Sequence, residues 1–242
     1  MSVVSKILVR EDIEGLSATA AERFVEFATA AIDSRGLFSV ALAGGNTPRE
    51  LYRLLASKQY RSAIDWKKVS VFLGDERNVP HDSPESNFRM VSEELLRPLG
   101  IDEDNSFRWR TELADPETVA ARYAEVLRPK TPLDLMLLGL GSDAHTASLF
   151  PHTDALRESE KLAVANWVPK LNDHRFTMTF PVINGAFNVM FLVAGEEKAD
   201  AVANVLEGEF RPDEYPAQLV KPAAGDLYWL LDEAAASSLQ GP

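Results

Sequence analysis

The stretch LDLMLLGLGSDAHTASLFP, from Leu133 to Pro151, begins as an apolar run and ends in a polar turn. Its first half is too apolar to face water on either side, which is typical of a central strand in a parallel sheet. Gly139 and Gly141 end this strand, and Asp143 and His145 follow them. Ligands of parallel sheets bind beyond the carboxyl ends of the strands, so this turn is a candidate functional site.

The amino-acid composition excludes several kinds of site and disfavours several kinds of partner. Of the 242 residues, 45% are hydrophobic and 26% are charged, as in ordinary globular proteins. The absence of cysteine excludes disulfides, thiolate nucleophiles and cysteine-ligated metals. Because 25 basic residues stand against 37 acidic ones, the net charge of −12 disfavours nucleic acid and anionic membranes as partners. No apolar run approaches the roughly 20 residues of a membrane span, and we expect a cytoplasmic location.

Apolar strands alternate with amphipathic helices along the chain. We predict six strands, at 6–10, 37–45, 68–76, 133–141, 188–195 and 226–232. Helical patterns follow at 15–34, 47–55, 83–99, 196–208 and 233–239. Thr47 is the predicted N-cap of the second helix, in a capping box with Glu50. This alternation predicts an α/β fold with a mostly parallel sheet covered by helices on both faces, in a single domain over residues 1–242. Two β segments after about residue 151, at 161–168 and 175–183, predict a small antiparallel insertion.

Two glycines and a helix start follow the second predicted strand. Gly44 and Gly45 carry no side chain, so the backbone can approach a ligand closely here. Asn46 and Thr47 then offer amides and a hydroxyl to an anion at the N-terminus of a helix. The alternative is a glycine turn with a well-capped helix and no ligand.

Charged residues lie near the ends of other predicted strands. Asp75 and Arg77 end the third strand, where an arginine can pair with a phosphate and an aspartate can accept hydrogen bonds from hydroxyl groups. Lys198 lies in the first turn of a helix, where a cation opposes the helix dipole unless an anion docks nearby. Arg175 opens a β segment and could converge with Lys198. The alternative for each residue is a solvated surface charge.

The turn after the central strand has two functional interpretations. Gly139, Gly141 and Ala144 match the dinucleotide-binding pattern G-x-G-x-x-[GA]. Asp143 would then lie against a pyrophosphate, and no acidic residue ends the next strand to hold a ribose, so this match is interpreted as coincidental. In the catalytic interpretation, His145 takes a proton from water and returns it to a leaving oxygen, while Asp143 fixes its tautomer. The non-functional alternative is a polar cap with a surface histidine.

Four segments together resemble the 6-phosphogluconolactonase family. They are AGGNTP (43–48), GDERNVPHDSPESN (74–87), LGLGSDAHTASLFP (138–151) and RFTMTFPVIN (175–184). The resemblance implies a Rossmann-like α/β fold. It also implies hydrolysis of 6-phospho-D-glucono-1,5-lactone to 6-phospho-D-gluconate, in the oxidative pentose phosphate pathway, without a metal or an organic cofactor.

The resemblance also assigns roles by position. It makes His145 the general acid/base with Asp143 beside it, and it places Asp75 and Arg77 in the active cleft. The implied phosphate cradle consists of Gly44, Gly45, Asn46, Thr47, Arg175 and Lys198. We therefore expect a small-molecule sugar phosphate as substrate, no nucleic-acid or membrane partner, no metal, and a monomer or weak homodimer.

The chain departs from the family pattern at two positions. Ala144 stands between the aspartate and the histidine, where the family usually has glycine. If this residue needs a positive φ, alanine strains the turn by about 1 kcal/mol or more. Asn46 stands where serine is common, and both residues are small polar caps.

Two alternatives to a lactonase stay open at this point. Glucosamine-6-phosphate deaminases share the fold and a similar turn, but they carry a glutamate after the histidine where this chain has Leu149 and Phe150. The missing carboxylate disfavours their ring-opening chemistry. A non-catalytic sugar-phosphate-binding module would tolerate loss of His145, whose presence favours an enzyme.

Overall fold

Ten strands form two sheets in the computed structural model, which describes residues 5–113 and 115–240. In chain order the strands are β1 (Ser5–Arg10), β2 (Phe38–Leu42), β3 (Val69–Leu73), β4 (Asp75–Arg77), β5 (Ser106–Phe107), β6 (Leu135–Leu138), β7 (Ala163–Val168), β8 (Asp173–Met178), β9 (Asn188–Val193) and β10 (Asp226–Asp232). All six predicted strands are present. β5 was not predicted, because a two-residue strand carries no periodic signal.

The helices connect these strands. In chain order they are α1 (Ile13–Arg35), α2 (Asn46–Ala56), α3 (Asn87–Val91), α4 (Arg97–Leu99), α5 (Pro116–Leu127), α6 (Phe180–Gly185) and α7 (Ala199–Leu206). A π-helical turn, Ser92–Leu96, joins α3 to α4. Within the described ranges, no helix combines the length and the apolar character that crossing a membrane requires.

The main sheet has seven strands, all parallel, in the order β1-β10-β9-β6-β2-β3-β5. β6 is therefore its middle strand, and all four of its residues are buried. The sequence predicted this central position, because a strand shielded on both faces must be apolar throughout. The prediction of a mostly parallel α/β sheet is confirmed.

A second, antiparallel sheet has the order β4-β8-β7. β7 and β8 correspond to the two β segments predicted after residue 151, and their antiparallel pairing is confirmed. The second strand ends earlier than predicted, at Met178, because Pro181 stands in the first turn of α6, which takes up residues 180–183. The third strand comes from the segment that the sequence assigned to the end of β3. The chain leaves the main sheet at Gly74, whose N–H donates to Leu42 at 2.9 Å and whose carbonyl accepts from Met178 at 2.8 Å. One continuous hydrophobic core joins both sheets.

Two local predictions are wrong. α2 begins at Asn46 with Gly45 as N-cap, so Thr47 lies inside the helix and forms no capping box. Gly45 has a φ of 101°, which only glycine adopts readily, and this angle sets the start of the helix. The segment 233–239 forms turns instead of a helix: the N–H of Ala236 reaches the carbonyl of Asp232 at 3.1 Å, but the next backbone bonds span only three residues, from Ser237 to Ala234 and from Leu239 to Ala236.

A buried carboxylate joins two neighbouring strands at the other end of the main sheet. Asp134, just before β6, is 4% exposed. It accepts from the backbone N–H of Ser39 at 2.7 Å and from the hydroxyl of Ser39 at 3.0 Å. Its second oxygen contacts the guanidinium of Arg35, at the end of α1. Asp134 thus joins α1, β2 and β6 through one side chain.

We expect Asp134→Ala to lower the free energy of unfolding by about 2–3 kcal/mol, because the buried N–H of Ser39 loses its acceptor. Asp134→Asn should lose less, since its amide oxygen can still accept that bond. Asp33→Ala, an exposed change in α1, the helix that carries Arg35, is the control and should stay within about 0.5 kcal/mol of the parent. Urea unfolding measures all three. Equal stability of the Asp134→Ala and Asp33→Ala proteins would contradict this role.

Candidate active site

Four turns meet at the carboxyl edge of the main sheet. β9, β6, β2 and β3 are consecutive neighbours in the sheet, and all four run parallel. The turns that follow them carry Lys198, the Asp143–His145 segment, the Gly44–Thr47 segment and the Asp75–Arg77 segment, in that spatial order. The predicted site residues on these turns therefore lie along one edge, where ligands of such sheets bind.

The turn after β6 is closed by its own backbone. The N–H of Gly141 donates to the carbonyl of His145 at 2.8 Å, and the N–H of Ala144 donates to Gly141 at 2.9 Å. The hydroxyl of Thr146 donates to the carbonyl of Gly139 at 2.9 Å. A Cβ on Gly141 would lie 2.0 Å from Nδ1 of His145, so only glycine leaves room for the imidazole. Gly141 therefore places the ring over the turn.

Ala144 adopts the left-handed conformation, the case in which the sequence analysis expects alanine to strain the turn. Its φ is 59°, its side chain is 1% exposed, and its carbonyl accepts from Ala217 at 3.1 Å. An alanine at this angle costs about 1 kcal/mol relative to glycine. The contact with Ala217 and the buried methyl group offset part of this strain.

The carboxylate of Asp143 contacts the imidazole of His145. One oxygen, Oδ1, meets Nδ1 of the ring and also accepts from the backbone N–H of His145 at 3.3 Å. Because Nδ1 faces a carboxylate, it carries the proton, and Nε2 is left with a lone pair. The His145 side chain is 27% exposed, so a water molecule can reach it.

Two basic groups share the carboxylate of Asp143. Its second oxygen, Oδ2, contacts Nζ of Lys170, which lies in the 3-10 turn Pro169–Leu171 between β7 and β8. Partial burial would raise the pKa of Asp143, but the hydrogen bonds from His145 and Lys170 lower that pKa below its ordinary value. Asp143 is therefore ionised throughout the neutral range.

Phe150 provides an aromatic surface beside this pair. Its ring stacks on the imidazole of His145, with the centroids 4.1 Å apart and the planes inclined by 27°. The Nζ atom of Lys170 lies 4.6 Å from the centroid of the same ring. The sequence did not single out Lys170, because nothing in its local spacing relates it to the turn after β6.

Asp75, on β4, contacts the turn that carries His145. It is 9% exposed, and its Oδ2 accepts from the hydroxyl of Ser148 at 2.7 Å. The side-chain amide of Asn87 donates to its Oδ1 at 3.3 Å and to its carbonyl at 3.1 Å. These contacts connect β4 to the turn that carries His145. A direct contact of Asp75 with substrate stays a prediction.

Glu76, beside Asp75, has a structural role that the sequence did not predict. It is 2% exposed and accepts from the backbone N–H groups of Asn87 and Phe88, both at 2.8 Å. Burial raises the pKa of Glu76, and these backbone hydrogen bonds oppose that rise. Its carboxyl group thus fixes the start of α3 against β4.

Arg77 and Arg175 face each other across the small sheet, as partners in the pairing of β4 with β8. The guanidinium of Arg77 donates to the carbonyl of Glu85. That of Arg175 donates to the carboxylate of Asp173 at 2.9 Å and to the carbonyl of His174 at 2.9 Å. Lys198 ends the 3-10 turn after β9, in the main sheet. Convergence of Arg175 and Lys198 on one anion stays a prediction.

The predicted phosphate turn lies open at the start of α2. Gly45 and Asn46 are exposed and Thr47 is half-buried, so their backbone amides are accessible. A Cβ on Gly44 would lie 1.9 Å from Oδ1 of Asn87, which shows why glycine is needed there. The geometry suits an anion, and the binding itself stays a prediction.

The dinucleotide interpretation fails on the fold. That motif requires a helix that begins directly after the glycines. Here β6 is followed by turns and by a short 3-10 segment, Asp154–Arg157.

Among residues 5–113 and 115–240, no three histidine, aspartate or glutamate side chains form a group that could hold a metal ion.

This chain is similar to known proteins over most of its length. A 6-phosphogluconolactonase of Synechocystis sp. is 44% identical over 221 residues, which cover 88% of this chain and 89% of that one. One from Streptomyces coelicolor is 35% identical and covers 99% of this chain and 96% of its own length. The solved structure of a 6-phosphogluconolactonase from Trypanosoma brucei matches with a TM-score of 0.86 at 30% identity, over 98% of this chain and 100% of that one.

The same fold occurs with a second activity. A monomeric glucosamine-6-phosphate deaminase matches with a TM-score of 0.82 at 23% identity, a likeness that shows the fold alone. The family model described as glucosamine-6-phosphate isomerases/6-phosphogluconolactonase matches residues 11–229. This chain belongs to that family.

Proposed function

We propose that this chain hydrolyses 6-phospho-D-glucono-1,5-lactone to 6-phospho-D-gluconate. Relatives that carry the name 6-phosphogluconolactonase cover most of its length at 35–44% identity, which supports this activity over the others in the family. The observation that carries the proposal is the imidazole of His145, held through Nδ1 by Asp143 at the carboxyl edge of the sheet. Such a ring presents Nε2 as a base to a water molecule.

In the proposed mechanism, Nε2 of His145 takes a proton from water as the water oxygen bonds to C1 of the lactone. The carbonyl oxygen of C1 takes up the electron pair and becomes an oxyanion. When the tetrahedral intermediate collapses, the bond from C1 to the ring oxygen breaks, and the imidazolium returns its proton to that oxygen. Asp143 stabilises the imidazolium between the two steps, because it stays ionised.

Backbone amides and Lys198 at the same edge, together with Arg175 from β8 of the small sheet, are proposed to hold the substrate. The amides at the start of α2, from Gly44 to Thr47, bind the 6-phosphate together with Lys198 and Arg175. Asp75 and Arg77 lie on β4, next to the end of β3, and are proposed to contact the lactone ring. In this proposal the phosphate binds at the turn after β2 and the reacting carbon lies at the turn after β6, and these two strands are neighbours in the sheet.

The residues after His145 favour hydrolysis over deamination. Ring opening of an amino sugar needs an additional acid for proton transfer. In that neighbourhood Leu149 is fully buried, and Phe150 is 7% exposed and stacks on the imidazole. An apolar surface beside the base suits a reaction that needs one activated water and one returned proton.

The proposal also covers the location of the protein and its oligomeric state. We expect a cytoplasmic location, where a sugar-phosphate substrate is made and used. We also expect a monomer or weak homodimer, since the proposed catalytic and phosphate-binding residues are all supplied by one chain.

A coupled assay tests the activity directly. Freshly generated 6-phosphogluconolactone is supplied to the parent protein, and formation of 6-phosphogluconate is followed above the spontaneous rate. Glucosamine 6-phosphate is assayed beside it for release of ammonia. We expect turnover of the lactone alone, and turnover of the amino sugar alone would overturn the proposal.

We expect His145→Asn to lower kcat by about 10²–10⁴ with a modest change in KM, because the base is lost while the binding groups remain. His152→Asn is the matched control, since it removes an exposed histidine from the next loop. Steady-state kinetics on the lactone measure both variants. A His145→Asn protein with nearly full turnover would contradict the assignment.

We expect Lys198→Met to raise KM for the phosphorylated lactone about tenfold or more, because a charge-assisted contact to the phosphate is lost. Glucono-1,5-lactone, which lacks the phosphate, should be hydrolysed by the variant as well as by the parent. The comparison of kcat/KM on the two lactones measures this difference. An equal loss on both would show that Lys198 does not bind the phosphate.

A further inference from the structure

The carboxylate of Asp143 is held between two basic groups from different parts of the chain, a neutral imidazole and an ammonium group. Its Oδ1 faces the imidazole of His145, two residues away on the same turn. Its Oδ2 faces the ammonium group of Lys170, which is 27 residues away. With both oxygens engaged, the carboxylate has one orientation, and that orientation decides where the imidazole points.

The position of Lys170 is fixed by the hairpin that carries it. β7 and β8 pair along their full length, and Asn172 closes the turn with a φ of 48°. The side chain of the buried Asn166, on β7, donates to the carbonyl of Ser148 at 2.9 Å and to the hydroxyl of Thr153 at 3.1 Å. These hydrogen bonds attach the β7–β8 hairpin to the turn that carries His145. Lys170, at the tip of the hairpin, contacts Asp143.

The ring of Phe150 contacts both His145 and Lys170. The imidazole of His145 stacks on its ring, and the ammonium group of Lys170 lies 4.6 Å from the ring centroid. A cation over the face of an aromatic ring is attracted by the ring's negative face, even at an exposed site. The aromatic ring therefore favours the position in which Lys170 also reaches Asp143.

We propose that Lys170 is a positioning residue for the reaction: it fixes the carboxylate of Asp143 and thereby the orientation of the His145 imidazole. The kinetic part of this inference rests on the proposed lactonase function. The structural part does not, since it concerns the imidazole in the free protein.

Loss of Lys170 has a defined electrostatic consequence. Among the described residues, the charged groups in contact with the Asp143–His145 pair come from that turn and from Lys170, and the face toward Phe150 is apolar. Without the ammonium group, the negative charge of Asp143 acts on the imidazole alone and favours the imidazolium. The pKa of His145 then rises, so the ring is neutral, and able to act as a base, only at higher pH.

The test compares Lys170→Met with Lys170→Arg. Methionine keeps an unbranched apolar side chain over Phe150 but removes the charge, and arginine restores the charge. Lys161→Met is the matched control. Lys161 is an exposed lysine two residues before β7, and its Nζ atom lies 3.9 Å from a carboxylate oxygen of Glu117. Each variant is assayed on the lactone from pH 5.5 to 8.5, a range of about three units around the ordinary histidine pKa.

Histidine NMR provides the second measurement. The chain has four histidines, and the spectrum of His145→Asn identifies the signal of His145. We expect Lys170→Met to raise the pKa of that signal by at least about half a unit, the size of shift that removal of one nearby charge produces under surface screening. The acidic limb of the pH–rate profile should move by the same amount.

We expect kcat of Lys170→Met to fall by about 3- to 30-fold, less than the about 10²–10⁴ for loss of the base itself. KM should change little, and Lys170→Arg should recover most of the loss. An unchanged kcat and pH profile would overturn the inference, as would a rise in KM alone, which would assign Lys170 to substrate binding. If the parent protein hydrolyses no lactone, the proposed function falls, and the NMR shift still decides the role of Lys170.

Discussion

The contact between the carboxylate of Asp143 and Nδ1 of His145 is the interaction on which the proposed chemistry depends. A contact between residues two positions apart is not guaranteed by sequence, and here the backbone enforces it. Gly141 leaves space for the ring, and Ala144 accepts a left-handed φ so that the chain folds back. Because β6 is the middle strand of the sheet, this turn stands at the centre of the carboxyl edge.

The small antiparallel sheet holds this turn in place through hydrogen bonds from β4 and β7. The chain crosses from one sheet to the other at Gly74, and Asp75 then bonds Ser148 in the catalytic turn. Asn166, on β7, bonds the carbonyl of the same serine. β4 and β7, the two outer strands of the small sheet, thus hold one residue of the turn, and the β7–β8 hairpin brings Lys170 to Asp143. The second sheet therefore belongs to the proposed active site and is more than a cover for the core.

The sequence predicted the main sheet well because buried parallel strands are continuous apolar runs, which local reading detects. It also identified, from a compact motif, the turn in which Asp143 and His145 meet, while the catalytic role of that turn stays a prediction. It failed where a residue's role depends on distant partners: Lys170 meets Asp143 only after the hairpin folds, and Asp75–Arg77 become a strand only beside β8. The start of α2 was misplaced for a local reason, because the positive φ of Gly45 outweighs the capping preference of Thr47.

The central claim is that His145 presents an unprotonated Nε2 to the cleft because Asp143 holds the proton on Nδ1. The tautomer of the neutral ring is measured directly by nitrogen NMR of histidine-labelled protein, with the signals of the two ring nitrogens assigned separately. The account predicts a protonated Nδ1 and a bare Nε2 in the free protein, and loss of this preference in Asp143→Ala. A proton on Nε2 in the parent protein would contradict it.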